Sequence, residues 1–180
     1  MATILLGVTG SIAAYKACEL TRILVKDGHD VRVVMTAAAA RFVTPLTFRT
    51  LSRNPVPTDL FAEPEQWVPG HVALADRAAL VVVAPCTANV MAKLAHGIAD
   101  DLLTAAALAA RAPVLLAPAM NTAMWEHPAT QANAEVLAGR GVRLVEAEAG
   151  DLACGTEGKG RMAEPAAIAA AAEAMLTVRP

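Results

Sequence analysis

Aromatic residues are scarce, 3% of a 180-residue chain, with three Phe, two Trp and one Tyr. Platforms on which nucleic-acid bases could stack are therefore missing. Basic clusters are missing too: 15 Lys and Arg stand against 17 Asp and Glu, the formal net charge is −2, and no cationic run offers a face to a phosphate backbone. This excludes nucleic acid as a partner. Long apolar runs are also lacking. The hydrophobic fraction is 56% and mean hydropathy +0.45, but alanine supplies much of it, and Gly, Pro or charge interrupts every run before the roughly 18 residues of a membrane span. A soluble protein with no membrane partner is expected. The N-terminus has no basic segment and passes from Thr3-Ile4-Leu5-Leu6 into a glycine turn, which reads as a first strand, not a signal peptide, and predicts a cytoplasmic location. Three cysteines, Cys18, Cys86 and Cys154, are odd in number and far apart without a CxxC pair, so neither a disulfide framework nor a metal site is indicated.

What is present is a rhythm. Short apolar runs alternate with longer helical patterns, which predicts one α/β domain over residues 1–180: a doubly wound, Rossmann-like or flavodoxin-like fold around a central parallel sheet. Strands are expected at 4–8, 31–35, 80–84, 114–117 and 142–145. Helices are expected at 12–26, 87–95, 100–109 (capped near Asp100), 129–138 and 166–176, with helical pieces at 37–43 and 46–51. Residues 53–70, with four prolines, read as an irregular surface loop, and the glycine-rich stretch 150–161 reads as a mobile flap that is neither helix nor strand. The alanine excess permits close helix packing and, on a small domain, predicts an oligomer.

Several polar groups fall where open α/β sheets put their chemistry, beyond the strand ends. Gly7-Val8-Thr9-Gly10-Ser11 joins a strand to a helix, so backbone N–H groups, the Ser11 hydroxyl and the helix dipole converge on an anion-sized space. It is also what an ordinary tight turn looks like. No GxGxxG is present, and Met35-Thr36 replaces the acid that would hold an adenosine ribose, which favours a mononucleotide over NAD. Thr87 reads as an N-cap or a ligand, and Asn121 as a cap or a carboxylate ligand. His71 heads an apolar segment, where imidazole serves as a cap, a core residue or a base near neutral pH. His29, His96 and His127 read as structural or solvated. Asp100 and Asp101, adjacent on a helix, point about 100° apart and cannot share a substrate proton. Lys16, Lys26, Lys93 and Lys159 include no evident Schiff-base lysine.

The segment Pro118-Ala119-Met120-Asn121-Thr122-Ala123-Met124-Trp125 resembles the PxMNxxMW signature of the flavin-dependent cysteine decarboxylases, a family with a phosphopantothenoylcysteine branch and a lantibiotic peptidyl-cysteine branch. Pro85-Cys86-Thr87-Ala88-Asn89 resembles the family's Pro-x-Ser/Thr-Ala-Asn flavin element. Residues 95–103 look like the segment that follows it, and Leu152 to Pro165 is similar to its substrate clamp, where Thr156 departs from the usual aspartate.

The resemblance implies FMN as cofactor, bound through Gly10, Ser11, Ile12, Thr36, Ala37, Ala38, Thr87, Ala88, Asn89, Val90 and Ala119. It implies substrate contacts from Asn121, Met124 and Ala153, and catalysis by His71 as base, Asn121 as carboxylate ligand and Cys154 as proton donor. The reaction implied is decarboxylation of 4'-phosphopantothenoylcysteine to 4'-phosphopantetheine in coenzyme A biosynthesis, by thiol oxidation, CO2 loss and re-reduction of an ene-thiol. A homotrimer or homododecamer is implied, with the histidine reaching in from a neighbouring subunit, and a separate phosphopantothenoylcysteine synthetase as a partner. An oxidative peptidyl-cysteine decarboxylase, which would release the ene-thiol, and a flavoprotein with a regulatory binding role are the alternatives.

Overall fold

Thr3–Val8 forms strand β1, an almost wholly buried apolar run that leads through a short turn into helix α1, Ala14–Lys26. The computed structural model describes residues 1–62, 68–146, 148–151 and 157–177. Strand β2, Asp30–Met35, returns parallel to β1 with Thr3 opposite Asp30 and Val8 opposite Met35. Helices α2, Pro45–Ser52, and α3, Gly70–Arg77, then carry the chain to β3, Leu80–Cys86, which pairs with the other edge of β1. Helices α4, Ala88–His96, and α5, Leu102–Ala109, lead to β4, Val114–Pro118. Helices α6, Thr122–Glu126, and α7, Pro128–Gly139, lead to a short β5, Arg143–Leu144. The sheet runs β2-β1-β3-β4-β5, parallel throughout, which is the flavodoxin-like order.

Side chains alternate between two cores. Ile4, Leu6, Leu80, Val82 and Leu115 face Leu20 and Leu24 of α1, Phe48 of α2 and Ile168 of α8, Pro165–Thr177. Leu5, Val81, Val83 and Leu116 face Met91, Leu103 and Leu137 on the opposite side. Because helices cover both faces, β3 is buried over its whole length, and a strand in that position reads as continuous apolar sequence. Gly7 is bare for a packing reason: a Cβ there would lie 2.3 Å from Leu103 Cδ1, so α5 sits directly against the backbone of β1.

The structure corrects several expectations. Helix α1 begins at Ala14, because residues 11–13 form a turn in which the Ser11 hydroxyl accepts from Ala13 N–H at 3.2 Å. Residues 37–43 contain only the 3-10 turn Ala39–Arg41, since Thr36 Oγ1 already accepts from Ala39 N–H and tightens the chain. Asp101, not Asp100, caps α5, through a reciprocal capping box with Thr104. The α3 helix starts at Gly70, where a loop was expected to finish, and α6 was not anticipated.

The glycine-rich stretch contains two strands. β6, Glu148–Asp151, pairs antiparallel with β7, Glu157–Arg161, and places Gly150 opposite Gly158. Low strand propensity is overcome here because ladder hydrogen bonds use only backbone groups. Ala153, Cys154 and Thr156 lie outside the described residues.

Lys16, buried on α1, reaches Glu164 Oε1 at 2.8 Å, and Arg161 at the end of β7 reaches the same oxygen at 2.7 Å. The Lys16 hydrogen bond foremost holds the Glu164 carboxyl below its ordinary 4.5. A lowered folded-state value means stabilisation that is present above the ordinary value and lost as pH falls through the lowered one. Glu164→Gln should therefore cost a small amount at pH 6, on the order of a few tenths of a kcal/mol for so exposed a group. Urea titrations of both proteins should converge as the pH drops below 4.5.

Candidate active site

Above the carboxyl ends of the strands, the order reverses between β1 and β3, and this is where an open α/β sheet forms a crevice. Thr9 spans that point. Fully buried, its Oγ1 donates to Pro85 O at 2.7 Å and accepts from Thr87 N–H at 3.2 Å, so one hydroxyl ties the ends of both strands. Ala119 N–H donates to Cys86 O at 3.0 Å and extends the tie to β4. Thr36 N–H donates to Val8 O at 3.1 Å and attaches the end of β2. Thr87 Oγ1 then caps α4 by accepting from Val90 N–H at 3.3 Å.

These loops enclose a cleft of about 600 Å3. Its walls include Gly10, Ser11, Thr36, Ala37 and Ala38 on one side and Thr87, Ala88, Asn89, Val90 and Ala119 on the other, so all the residues expected at the flavin except Ile12 meet there. Ile12 is 56% exposed and does not line the cleft, because the turn at 11–13 carries its side chain outward. The glycine at position 10 is needed: a Cβ would lie 2.5 Å from Ala38 Cβ, so the β1 and β2 loops close on each other only without one.

The residues present fit a flavin mononucleotide. Small side chains admit a planar ring, the hydroxyls of Ser11, Thr36 and Thr87 and the amide of Asn89 supply hydrogen-bonding groups, and the start of α1 favours an anion.

Sequence reasoning missed two residues of this cleft, Lys93 and Asp101. Lys93 Nζ lies 2.7 Å from Asp100 Oδ1 and 3.6 Å from Asp101 Oδ2, and its hydrogen bond holds the Asp100 carboxyl below the usual range. The signal was available, since Lys93 follows Asn89 by one helical turn and shares its face.

Asn121, exposed, follows cleft residues Ala119 and Met120 and precedes cleft residue Met124 in the chain, and does not itself line the cleft. Its Oδ1 accepts from Ala123 N–H at 2.9 Å and caps α6. The cap expected of this residue is thus present. His71 is not in this cleft. It sits near the start of α3, half-buried, and lines a separate cavity of about 730 Å3 with Leu60, Phe61, Pro69, Ala105 and Leu108. Cys86, at the end of β3, is fully buried, which pushes its thiol up to about 12 and removes it as a nucleophile. Among the described residues no cluster of His, Cys, Asp and Glu could hold a metal ion, and no helix is long and apolar enough to cross a membrane.

Known proteins share this arrangement. The family described as Flavoprotein matches residues 1–177. The coenzyme A biosynthesis bifunctional protein of Bacillus subtilis is 54% identical over 170 residues, covering 94% of this chain and 42% of that protein. The chain thus spans less than half the length of this relative. A PPC decarboxylase mutant solved in complex with pantothenoylaminoethenethiol superposes with a TM-score of 0.90 at 31% identity, over 98% of each chain. The FMN-dependent cysteine decarboxylase SpaF superposes with a TM-score of 0.81 at 34% identity, over 96% of this chain and 98% of that one.

If Thr9 holds the crevice together, Thr9→Val, which keeps the shape and removes the hydroxyl, leaves Pro85 O and Thr87 N–H without their partner. A loss of about 1–3 kcal/mol is expected, read as a lower urea midpoint at unchanged slope.

Proposed function

The chain belongs to the Flavoprotein family, and from that premise we propose that it is an FMN-dependent carboxy-lyase that converts 4'-phosphopantothenoylcysteine to 4'-phosphopantetheine in cytoplasmic coenzyme A biosynthesis. The observation that carries this reading is the crevice between β1 and β3, whose walls bring together the small and hydroxyl-bearing residues of the β1, β2, β3 and β4 loops. Supporting it, the neighbour of the same fold at 31% identity was solved holding pantothenoylaminoethenethiol, an ene-thiol that is the decarboxylated, oxidised form of such a substrate.

A cysteine in amide linkage cannot lose its carboxylate directly, because the carbanion left behind has no acceptor. The missing acceptor is what FMN, when bound, would supply: a reversible two-electron oxidation of the substrate thiol that would place a C=S group β to the carboxylate and be undone after CO2 loss. The protein's residues position and protonate. Ser11, Thr36 and Thr87 hold the cofactor's polar groups against the small-residue walls. Asn121 donates from its NH2 to the substrate carboxylate and holds the bond to be broken in the crevice. Met120 and Met124 give that end of the crevice an adaptable apolar wall. His71 takes the thiol proton, and Cys154 supplies the proton that completes the saturated product. A cysteine in this role separates re-reduction from release of the ene-thiol.

His71 must reach a crevice that its own chain keeps elsewhere. A homotrimer, alone or within a dodecamer, answers this by bringing the histidine cavity of one copy to the crevice of another. Exposed Ile12, Phe42, Leu46, Phe61 and Leu108 are apolar surface consistent with such contacts. Residues 1–180 act as one domain in this reading, with phosphopantothenoylcysteine synthetase as the functional partner.

A peptidyl-cysteine decarboxylase is the second reading, since the similarity extends, at 34% identity, to a protein described only as an FMN-dependent cysteine decarboxylase. Purified protein should be yellow and should release CO2 from 4'-phosphopantothenoylcysteine with phosphopantetheine as product. Mass detection on that substrate and on peptides ending in cysteine separates the two readings. Activity toward the peptides alone would reverse their order, and colourless protein without activity would remove both. Cys154→Ser should still release CO2 but accumulate the ene-thiol; complete conversion by this variant would overturn the role given to the thiol.

A further inference from the structure

Strand β7 lies on the signature segment with almost nothing between the two backbones. Met120 N–H donates to Gly160 O at 2.9 Å. Gly160 has φ +138, and a Cβ there would stand 2.3 Å from Met120 O. Two residues earlier, on the same face of the strand, a Cβ on Gly158 would stand 2.2 Å from Thr122 Oγ1 and 3.0 Å from Thr122 Cγ2. Thr122 Oγ1 is itself buried and, among the described residues, has no hydrogen-bond partner. Asn121 lies between the two contacts, with Met120 pinned on one side and Thr122 wedged on the other.

We propose that Gly158 and Gly160 are positioning residues: by seating β7 directly on Met120 and Thr122 they fix the direction of the Asn121 amide, and Gly158 and Thr122 form a size-matched pair. The proposal rests on the decarboxylase reading for its consequence in catalysis, though not for the contact itself. Gly160 adds a backbone demand, since its φ lies in the region that side chains disfavour. Gly158 does not share it, because it is absent from the positive-φ positions of the chain. Gly158→Ala therefore isolates the steric contact. Neither Gly158 nor Thr122 lines the flavin crevice, so cofactor binding is separable from this effect.

The test is a size-swap cycle of Gly158→Ala, Thr122→Ala and the double variant in the FMN-loaded protein. Flavin absorbance and FMN affinity are read alongside kcat, KM and hydrogen exchange at the Met120 amide. Gly158→Ala should lower kcat by about 10²-fold, the order expected for a displacement near 1 Å, with FMN affinity unchanged and the Met120 amide exchanging faster. Adding Thr122→Ala, which removes the clashing Oγ1 and Cγ2, should restore most of both losses. Wild-type kcat and wild-type Met120 protection in Gly158→Ala would overturn the proposal, as would a double variant that recovers neither. If the parent protein does not decarboxylate, the functional reading fails alone, and Met120 exchange in the single and double variants still decides whether the pair seats the hairpin.

Discussion

One hydroxyl governs the crevice. Thr9 sits where the sheet changes direction, and its Oγ1 uses both donor and acceptor capacity on the two peptide groups that flank Cys86, at Pro85 O and Thr87 N–H. Without it those groups would be buried or half-buried at the mouth of the fold with no partner, and the end of β3 would be free to drift from β1. The position of Thr87 sets the start of α4, and α4 carries Asn89, Val90 and Lys93 into the same wall. A single short side chain thus places a large part of the site, which is possible only because the adjoining residues are too small to intrude.

Smallness is the second constraint. Gly7 admits Leu103 against the backbone of β1, Gly10 admits Ala38 against the turn, and Gly158 admits Thr122 against the hairpin. At each place a missing Cβ brings two elements into direct contact. The alanine-rich composition serves the same end on the helices, and it accounts for a protein that fills two cores with so few aromatic side chains. Shape, more than large apolar bulk, holds the pieces in register, so single added methyl groups are expected to be felt.

Much of this was legible beforehand. The strands β1, β3 and β4 are continuous apolar runs, and their loops end in the small polar residues that meet in the crevice. The parallel sheet was legible from this rhythm of strands and helices, while its order, β2-β1-β3-β4-β5, comes from the structure. The failures share a cause, in that tertiary contacts overrode local signals. Glycines at 150, 158 and 160 argue against a strand by propensity, yet those at 158 and 160 are what lets β7 lie on Thr122 and Met120. Asp101 displaced Asp100 as the cap because Thr104, three residues later, completes the box. His71 is a different case: the resemblance implied a histidine reaching in from a neighbouring subunit, and the path of the whole chain adds that it lines a cavity apart from the crevice.

Cys86 occupies the last position of β3, fully buried beneath the crevice, with its thiol at about 12. At neutral pH only about one such group in 10⁵ is ionised at any instant, and alkylating reagents attack the ionised form. Labelling of Cys86 in the native protein therefore requires the strand end to be exposed first. The residue is a built-in clock for excursions of the β3 terminus, one whose rate reports how often the floor of the crevice opens without any probe having to be introduced.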